Sequence, residues 1–156
     1  MKKVNQKVID VLLDVYWAEI GAIGIYMEQH TRCSDMGYHK LAEMLKKDAI
    51  HEMKHAEQLS ERILFLEGAV INKSHAVPVE GQGDINDMLK RNINIEVEAI
   101  DRLNKGVTTC FSECDHGSRL LLEEILKSEE EHLDELKTIC ENIKKYSNQY
   151  IVSHLM

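Results

Sequence analysis

Residues 41–63 read LAEMLKKDAIHEMKHAEQLSERI, and within that stretch Leu41, Leu45, Asp48, Glu52, His55, Leu59 and Ile63 recur at steps of three and four. Such spacing puts all seven on one face of an α-helix, the face an amphipathic helix turns toward a core. Apolar residues hold both ends of the stripe, while two acids and a histidine hold its middle. A core-facing stripe interrupted in this way implies a polar layer inside an otherwise apolar bundle.

The pattern occurs three more times. Val8, Leu12, Val15, Glu19, Ala22 and Tyr26 form the first stripe, Ile85, Leu89, Asn92, Glu96, Ala99 and Leu103 the third, and Leu122, Ile125, Glu129, His132, Leu136, Ile139 and Ile143 the fourth. The periodicity predicts an all-α protein: one domain over 1–156, with helices over about 4–33, 38–67, 84–112 and 117–145 and a short fifth helix over about 147–155. Ser34-Asp35-Met36-Gly37 and Cys114-Asp115-His116-Gly117 read as tight turns. From Gly68 to Asp84 the chain carries Pro78, Gly81 and Gly83, 17 residues in all. Extended, they reach about 60 Å, more than the roughly 42 Å of a 28-residue helix. One long crossover can therefore join two antiparallel hairpins.

Composition agrees. The 156 residues include one proline, and the long stretches rich in Glu, Lys, Leu, Ile, Met and Ala favour helix. A formal charge of −8 disfavours nucleic acid and suits a protein that attracts cations. No uninterrupted apolar run is long enough for a signal segment or a membrane span, so a cytoplasmic location is expected. In that compartment the four cysteines, Cys33, Cys110, Cys114 and Cys140, are expected as reduced thiols, and their spacing matches no zinc pattern.

The chemistry lies in a repeat. Glu52-Met53-Lys54-His55 and Glu129-Glu130-Glu131-His132 are both Glu-x-x-His, and each follows a single stripe glutamate, Glu19 or Glu96, at a separation of 33 residues. The midpoint of Glu19 and Glu52 falls between Asp35 and Met36, in the first turn. That of Glu96 and Glu129 falls between Ser112 and Glu113, close to the second. Residues equidistant from a hairpin turn lie level, and Glu and His at i and i+3 share a helix face. Four carboxylates and two imidazoles should thus converge at mid-bundle. Burying four carboxylates without cations is prohibitive, and two divalent metals supply the missing charge. A glutamate from each of two helices plus Glu-x-x-His from the other two is the ligand pattern of di-iron carboxylate bundles, and two hairpins joined by one crossover is the ferritin-like topology.

At these residues the chain resembles the bacterioferritins. The similarity is carried by Glu52-Met53-Lys54-His55-Ala56-Glu57, by Arg62 through Gly68, and by Glu123-Glu124-Ile125-Leu126 with Glu129 and His132; it extends from about Lys7 to the C-terminal tail. The resemblance implies a ferroxidase that oxidises Fe(II) to Fe(III) with dioxygen or hydrogen peroxide. Glu19 and His55 would serve one iron, Glu96 and His132 the other, with Glu52 and Glu129 bridging. Tyr26 matches a tyrosine able to donate an electron. It further implies ferric mineral stored in a 24-subunit cage built from two-fold dimers, with a ferredoxin-type reductant as partner. The tail would line a cage axis. Met53 would be the axial ligand of a haem b or related haem shared between two subunits. It follows Glu52 directly, so it points about 100° away from the metal face, and thioether ligation of haem iron is chemically sound.

Two positions depart from the family pattern: Lys47 stands where many members have an inner-surface histidine, and His51 where they have an aspartate. Both bear on how iron passes into the cavity. Asp48 lies one turn from Glu52 on the metal-facing stripe. Cys110 and Cys114, at i and i+4 with His116 nearby, read as small hydrophobes and a turn in preference to a second metal site. Trp17 reads as packing. The alternative function is a di-metal oxidase or peroxidase that does not store iron. A rubrerythrin-like reading lacks its Cys-x-x-Cys pairs, and a purely structural bundle leaves the matched spacing unexplained.

Overall fold

A computed structural model describes residues 4–73 and 83–156. Four long helices form the bundle: α1 Gln6–Asp35, α2 His39–Phe65, α3 Ile85–Ser112 and α4 His116–Tyr146. Three start on side-chain caps. Asn5 accepts from the Val8 N–H, Asp84 from that of Asp87 and Asp115 from that of Ser118. Each cap satisfies an N–H that the first helical turn leaves without a partner.

Contacts between helices give their directions. Near the start of α1, Asn5 and Lys7 reach Glu113, just past the end of α3; further along, Tyr26 meets Glu96 and Gln29 meets Asn92. Rising numbers on α1 against falling numbers on α3 make the pair antiparallel. Arg62 on α2 likewise meets Asp115 and Ser118 at the start of α4, while Asp48 meets His132. The first turn makes α1 antiparallel to α2, so α2 ends beside the start of α1, where an added Cβ on Gly68 would sit 3.0 Å from Ile9. The start of α3 lies at the opposite end, beside Cys33 through Met88. The connection between α2 and α3 must therefore traverse the bundle, as the sequence predicts. Its first part is tied to α1: Trp17 donates to the Ile71 carbonyl at 2.6 Å, and Tyr16 to Asn72 at 3.0 Å. The predicted Pro78 and Gly81 of the crossover fall in 74–82, outside the described residues.

Two apolar clusters fill the interior. One, at the end where α1 starts, is built on Val8, Leu12, Leu59, Ile63, Leu103, Leu122 and Ile125. The other contains Tyr26, Leu41, Leu45, Met88, Leu89, Leu136 and Ile139. Each fully buried leucine or isoleucine contributes about 1.5–3 kcal/mol of transfer free energy. After Tyr146 the chain turns at Ser147 (φ 49°) into a short helix α5, Asn148–Tyr150, which continues as a π-helical turn, Ile151–Leu155. Leu155 is buried in the second cluster, and Lys40 donates to the Ser153 carbonyl at 2.8 Å. The architecture is thus a four-helix bundle with a short C-terminal fifth helix. No helix among the described residues is long and apolar enough to cross a membrane.

The two turns differ in which residue takes the left-handed conformation. At the first, Gly37 takes the left-handed conformation (φ 85°), and the Tyr38 N–H bonds to the Cys33 carbonyl at 2.9 Å, closing a Schellman motif. At the second, within the Cys114–Gly117 stretch read as a turn, the glycine is not the left-handed residue. Instead Cys114 is left-handed (φ 57°), the Asp115 N–H bonds to the Cys110 carbonyl at 2.9 Å, and Gly117 lies in the first turn of α4. Gly117 serves close approach: an added Cβ would sit 2.5 Å from the Arg62 guanidinium. Because α3 ends at Ser112, Cys110 and Cys114 share no helix face; the former is buried and the latter exposed.

Space around Gly37 is open, so only its backbone conformation resists a side chain. Gly37→Ala should lower the unfolding free energy by about 1 kcal/mol, the cost of a left-handed alanine. Cys114→Gly should act in the opposite direction by up to a similar amount. Denaturant midpoints of the two variants against the parent check both signs.

Candidate metal centre

Between the two apolar clusters lies a layer of acids and imidazoles. Glu19 from α1, Glu52 and His55 from α2, Glu96 from α3 and Glu129 from α4 are each no more than 7% exposed. His132, on α4, has a side chain 12% exposed. The helical rise puts each Glu-x-x-His pair on one inward stripe, and the hairpin turns set the two stripes level.

Distances divide the layer into two overlapping groups. His55 Nδ1 lies 3.1 Å from Glu52 Oε2, 3.2 Å from Glu129 Oε1 and 3.6 Å from Glu19 Oε2. His132 Nδ1 lies 3.0 Å from Glu96 Oε1. Glu19, Glu52, His55 and Glu129 bring one donor atom each within 4.8 Å of one another, and Glu52, Glu96, Glu129 and His132 do the same. Glu52 and Glu129 belong to both groups. This oxygen and nitrogen donor set can hold a pair of metal ions, and its chemistry fits iron, manganese or zinc. A cleft of about 190 Å³ between α1 and α3 reaches all four carboxylates, its walls lined by small residues such as Ala18, Gly21 and Ala99.

Without metal, protons must offset the clustered charge. Burial, reinforced by Glu19, pushes the Glu52 carboxyl up to about 8. Burial also carries Glu129 to about 8, with Glu52 and Glu96 nearby adding repulsion. For His55, burial alone would favour the neutral ring, but hydrogen bonds to Glu129, Glu19 and Glu52 win and hold it up at about 12. His132 is raised to about 11 because Asp48 and Glu96 overcome the same burial cost. Glu96 is lowered, since His132 and Tyr26 outweigh its desolvation. Tyr26 is fully buried, donates its hydroxyl to Glu96 Oε1, and is held well above the ordinary phenol value by burial and then by Glu96.

The structure thus brings together the six residues singled out in the Glu/His repeat and places Tyr26 against them. Met53 stands apart, 53% exposed on α2. Lys47 and His51 are exposed, and the His51 ring stacks 6.0 Å from that of His55. Trp17 packs beneath the Lys73 ammonium, 3.6 Å from the ring centroid. Two contacts escaped sequence reading. Asp48 Oδ2 lies 3.0 Å from His132 Nε2, and the buried amides of Gln29 and Asn92 bond reciprocally at 2.8 Å. Signals for both were present: Asp48 and Asn92 sit on the stripes, and Gln29 extends the series Ala22, Tyr26 by three residues.

The raised groups predict a pH dependence. Glu52 and Glu129 bind protons more tightly folded than unfolded, so their burial penalty grows as pH rises from about 4.5 through about 8. The imidazolium contribution of His55 and His132 is complete below about 6.5 and is lost as pH rises through about 11 to 12. Metal-free protein should therefore lose thermal stability from pH 5 to 9. A divalent ion must displace these protons, so the stabilisation it gives should increase over the same range. Scanning calorimetry with and without Co²⁺ measures both slopes.

Comparison with known proteins agrees with the architecture. The ferritin-like domain family model matches residues 9–146. A bacterioferritin from Streptomyces coelicolor is 34% identical over 150 residues, covering 96% of this chain and 89% of the relative. One from Desulfovibrio desulfuricans is 32% identical over 93% of this chain and 80% of its own. Another, from Brucella melitensis, is 30% identical over 94% of this chain and 91% of its own. With its helix order, its crossover and its paired Glu-x-x-His motifs, the chain belongs to the bacterioferritin family of ferritin-like proteins.

Proposed function

We propose that this protein oxidises ferrous iron at the buried Glu/His layer and stores the ferric product inside a cage of its own copies. The observation that carries the reading is that two four-residue groups share Glu52 and Glu129. Two ferrous ions are the substrate, one held by Glu19 and His55, the other by Glu96 and His132, with Glu52 and Glu129 bridging. Dioxygen or hydrogen peroxide accepts an electron from each ion. The carboxylates offset the charge of the ferric pair, and the apolar clusters above and below exclude bulk water. Tyr26, bonded to Glu96, is positioned to supply a further electron. Bacterioferritins give the reading its wider frame: a 24-subunit assembly in the cytoplasm, with a ferredoxin-type donor for iron release.

Met53 extends the proposal. Its exposed position on α2 suits one axial ligand of a haem shared with a second copy across a two-fold axis. A second functional reading, an oxidase or peroxidase that does not store iron, draws on Lys47 and His51, since a lysine at an inward exit would oppose cation transfer.

Aerobic ferrous titration of metal-free protein, followed by gel filtration and iron analysis, separates these readings. Storage predicts many irons per chain co-eluting with a cage-sized species. About two irons per chain, the content of one carboxylate-bridged site, would favour the non-storing oxidase, and none would sink both. Glu129→Gln and His132→Ala should slow ferrous oxidation at least about tenfold, since even partners outside the ligand set are worth that much. For haem, Met53→Leu should abolish the Soret band of haem-reconstituted protein while leaving ferrous oxidation intact; an unchanged spectrum would remove Met53 from that role.

A further inference from the structure

The two hairpins repeat at an offset of 77 residues, which carries Glu19 to Glu96, Glu52 to Glu129 and His55 to His132. The same offset carries Tyr26 to Leu103 and Asp48 to Ile125. Both counterparts are buried aliphatics of the cluster at the α1 start, 0% and 1% exposed. The inner residues of the layer therefore obey the repeat, but their outer partners do not. Tyr26 and Asp48, both from the first hairpin, converge on the Glu96–His132 half.

We propose that Asp48 is a positioning residue for His132 and makes the two halves of the layer unequal, so that the Glu96–His132 half takes the first divalent ion. The inference rests on reading the layer as a two-metal site. Its geometric basis is the His132 ring, which has a carboxylate at each nitrogen: Glu96 Oε1 at 3.0 Å from Nδ1 and Asp48 Oδ2 at 3.0 Å from Nε2. Nε2 makes no hydrogen bond and has the Asp48 carboxylate at ion-pair distance, so Nδ1, which faces Glu96 inside the layer, is the nitrogen presented to an ion. A carboxylate on the far nitrogen fixes the tautomer and ring orientation and makes the imidazole a stronger donor. His55 lacks this support. Its ion-pair partners are Glu19, Glu52 and Glu129, all members of the layer and all reached through Nδ1; among the described residues it pairs with no outside carboxylate. Asp48 belongs to neither four-residue donor group, which separates it from the ligands it supports.

The test is a Co²⁺ titration of the metal-free, full-length protein, followed by visible absorption and calorimetry. The parent should bind two ions per chain in two steps, with the tighter step abolished by His132→Ala and retained in His55→Ala. Asp48→Ala and Asp48→Asn should weaken that tighter step by about 10- to 100-fold, alter the spectrum of the first-bound ion and leave the second step unchanged. Asp48→Glu, which keeps a carboxylate, should recover part of the loss. Equal weakening of both steps, or of neither, would overturn the proposal, as would a Co²⁺-bound crystal structure with an Asp48 oxygen bonded to the ion. A parent that binds no Co²⁺ would overturn the two-metal reading beneath it, a result distinct from a parent that binds two ions and is indifferent to Asp48.

Discussion

Four glutamates packed level with one another inside a helical bundle repel, and each gives up hydration to be there. This clustered charge is the constraint around which the remaining structure is arranged. The apolar clusters on either side provide the stability that offsets it, and they raise the local electrostatic stakes by keeping water out. His55 and His132 stand among the acids as cations, and protons remain on Glu52 and Glu129 up to about pH 8. A layer balanced in this way is poised for metal, because divalent ions replace protons at the same atoms without refolding the bundle around them.

Holding such a layer level requires helices that neither slide nor rotate. Much of the polar structure away from the centre serves that end. The reciprocal Gln29–Asn92 amide pair keys α1 to α3 near Tyr26 and Glu96. At the other end of the bundle, Arg62 ties α2 to α4 through Asp115 at 2.7 Å and Ser118 at 2.9 Å, beside Gly117, where an added Cβ would sit 2.5 Å from the guanidinium. The opening of the crossover is pinned to α1 through Trp17 and Tyr16. A buried amide pair leaves two unsatisfied groups if the register slips by one residue, which makes it a strong specifier of alignment for its size.

The two hairpins present the same six inner groups, yet the molecule is not symmetric about them. Outer partners come from one hairpin only, with a phenol at Glu96 and a carboxylate at His132. The asymmetry is held by ordinary core residues: Leu103 and Ile125 occupy the counterpart positions and extend the apolar packing.

How much of this was legible in the chain follows from the range of the forces involved. Helical period, caps and the spacing of Glu19, Glu52, Glu96 and Glu129 are properties of a single strand of sequence, so the sequence by itself determined four helices, the crossover topology and the six inner residues. It placed the second turn at Cys114–Gly117 but did not say which residue turns left-handed, because glycine is only the commonest residue to do so. Cys114 adopts that conformation here, and Gly117 is needed elsewhere, under the Arg62 guanidinium. Only the tertiary structure decided which stripe residues meet across helices: Asp48 with His132, Gln29 with Asn92 and Tyr26 with Glu96. Those pairings depend on the relative rise and rotation of neighbouring helices to within a few ångströms. Side-chain packing across the whole bundle sets that alignment, and no local period encodes it.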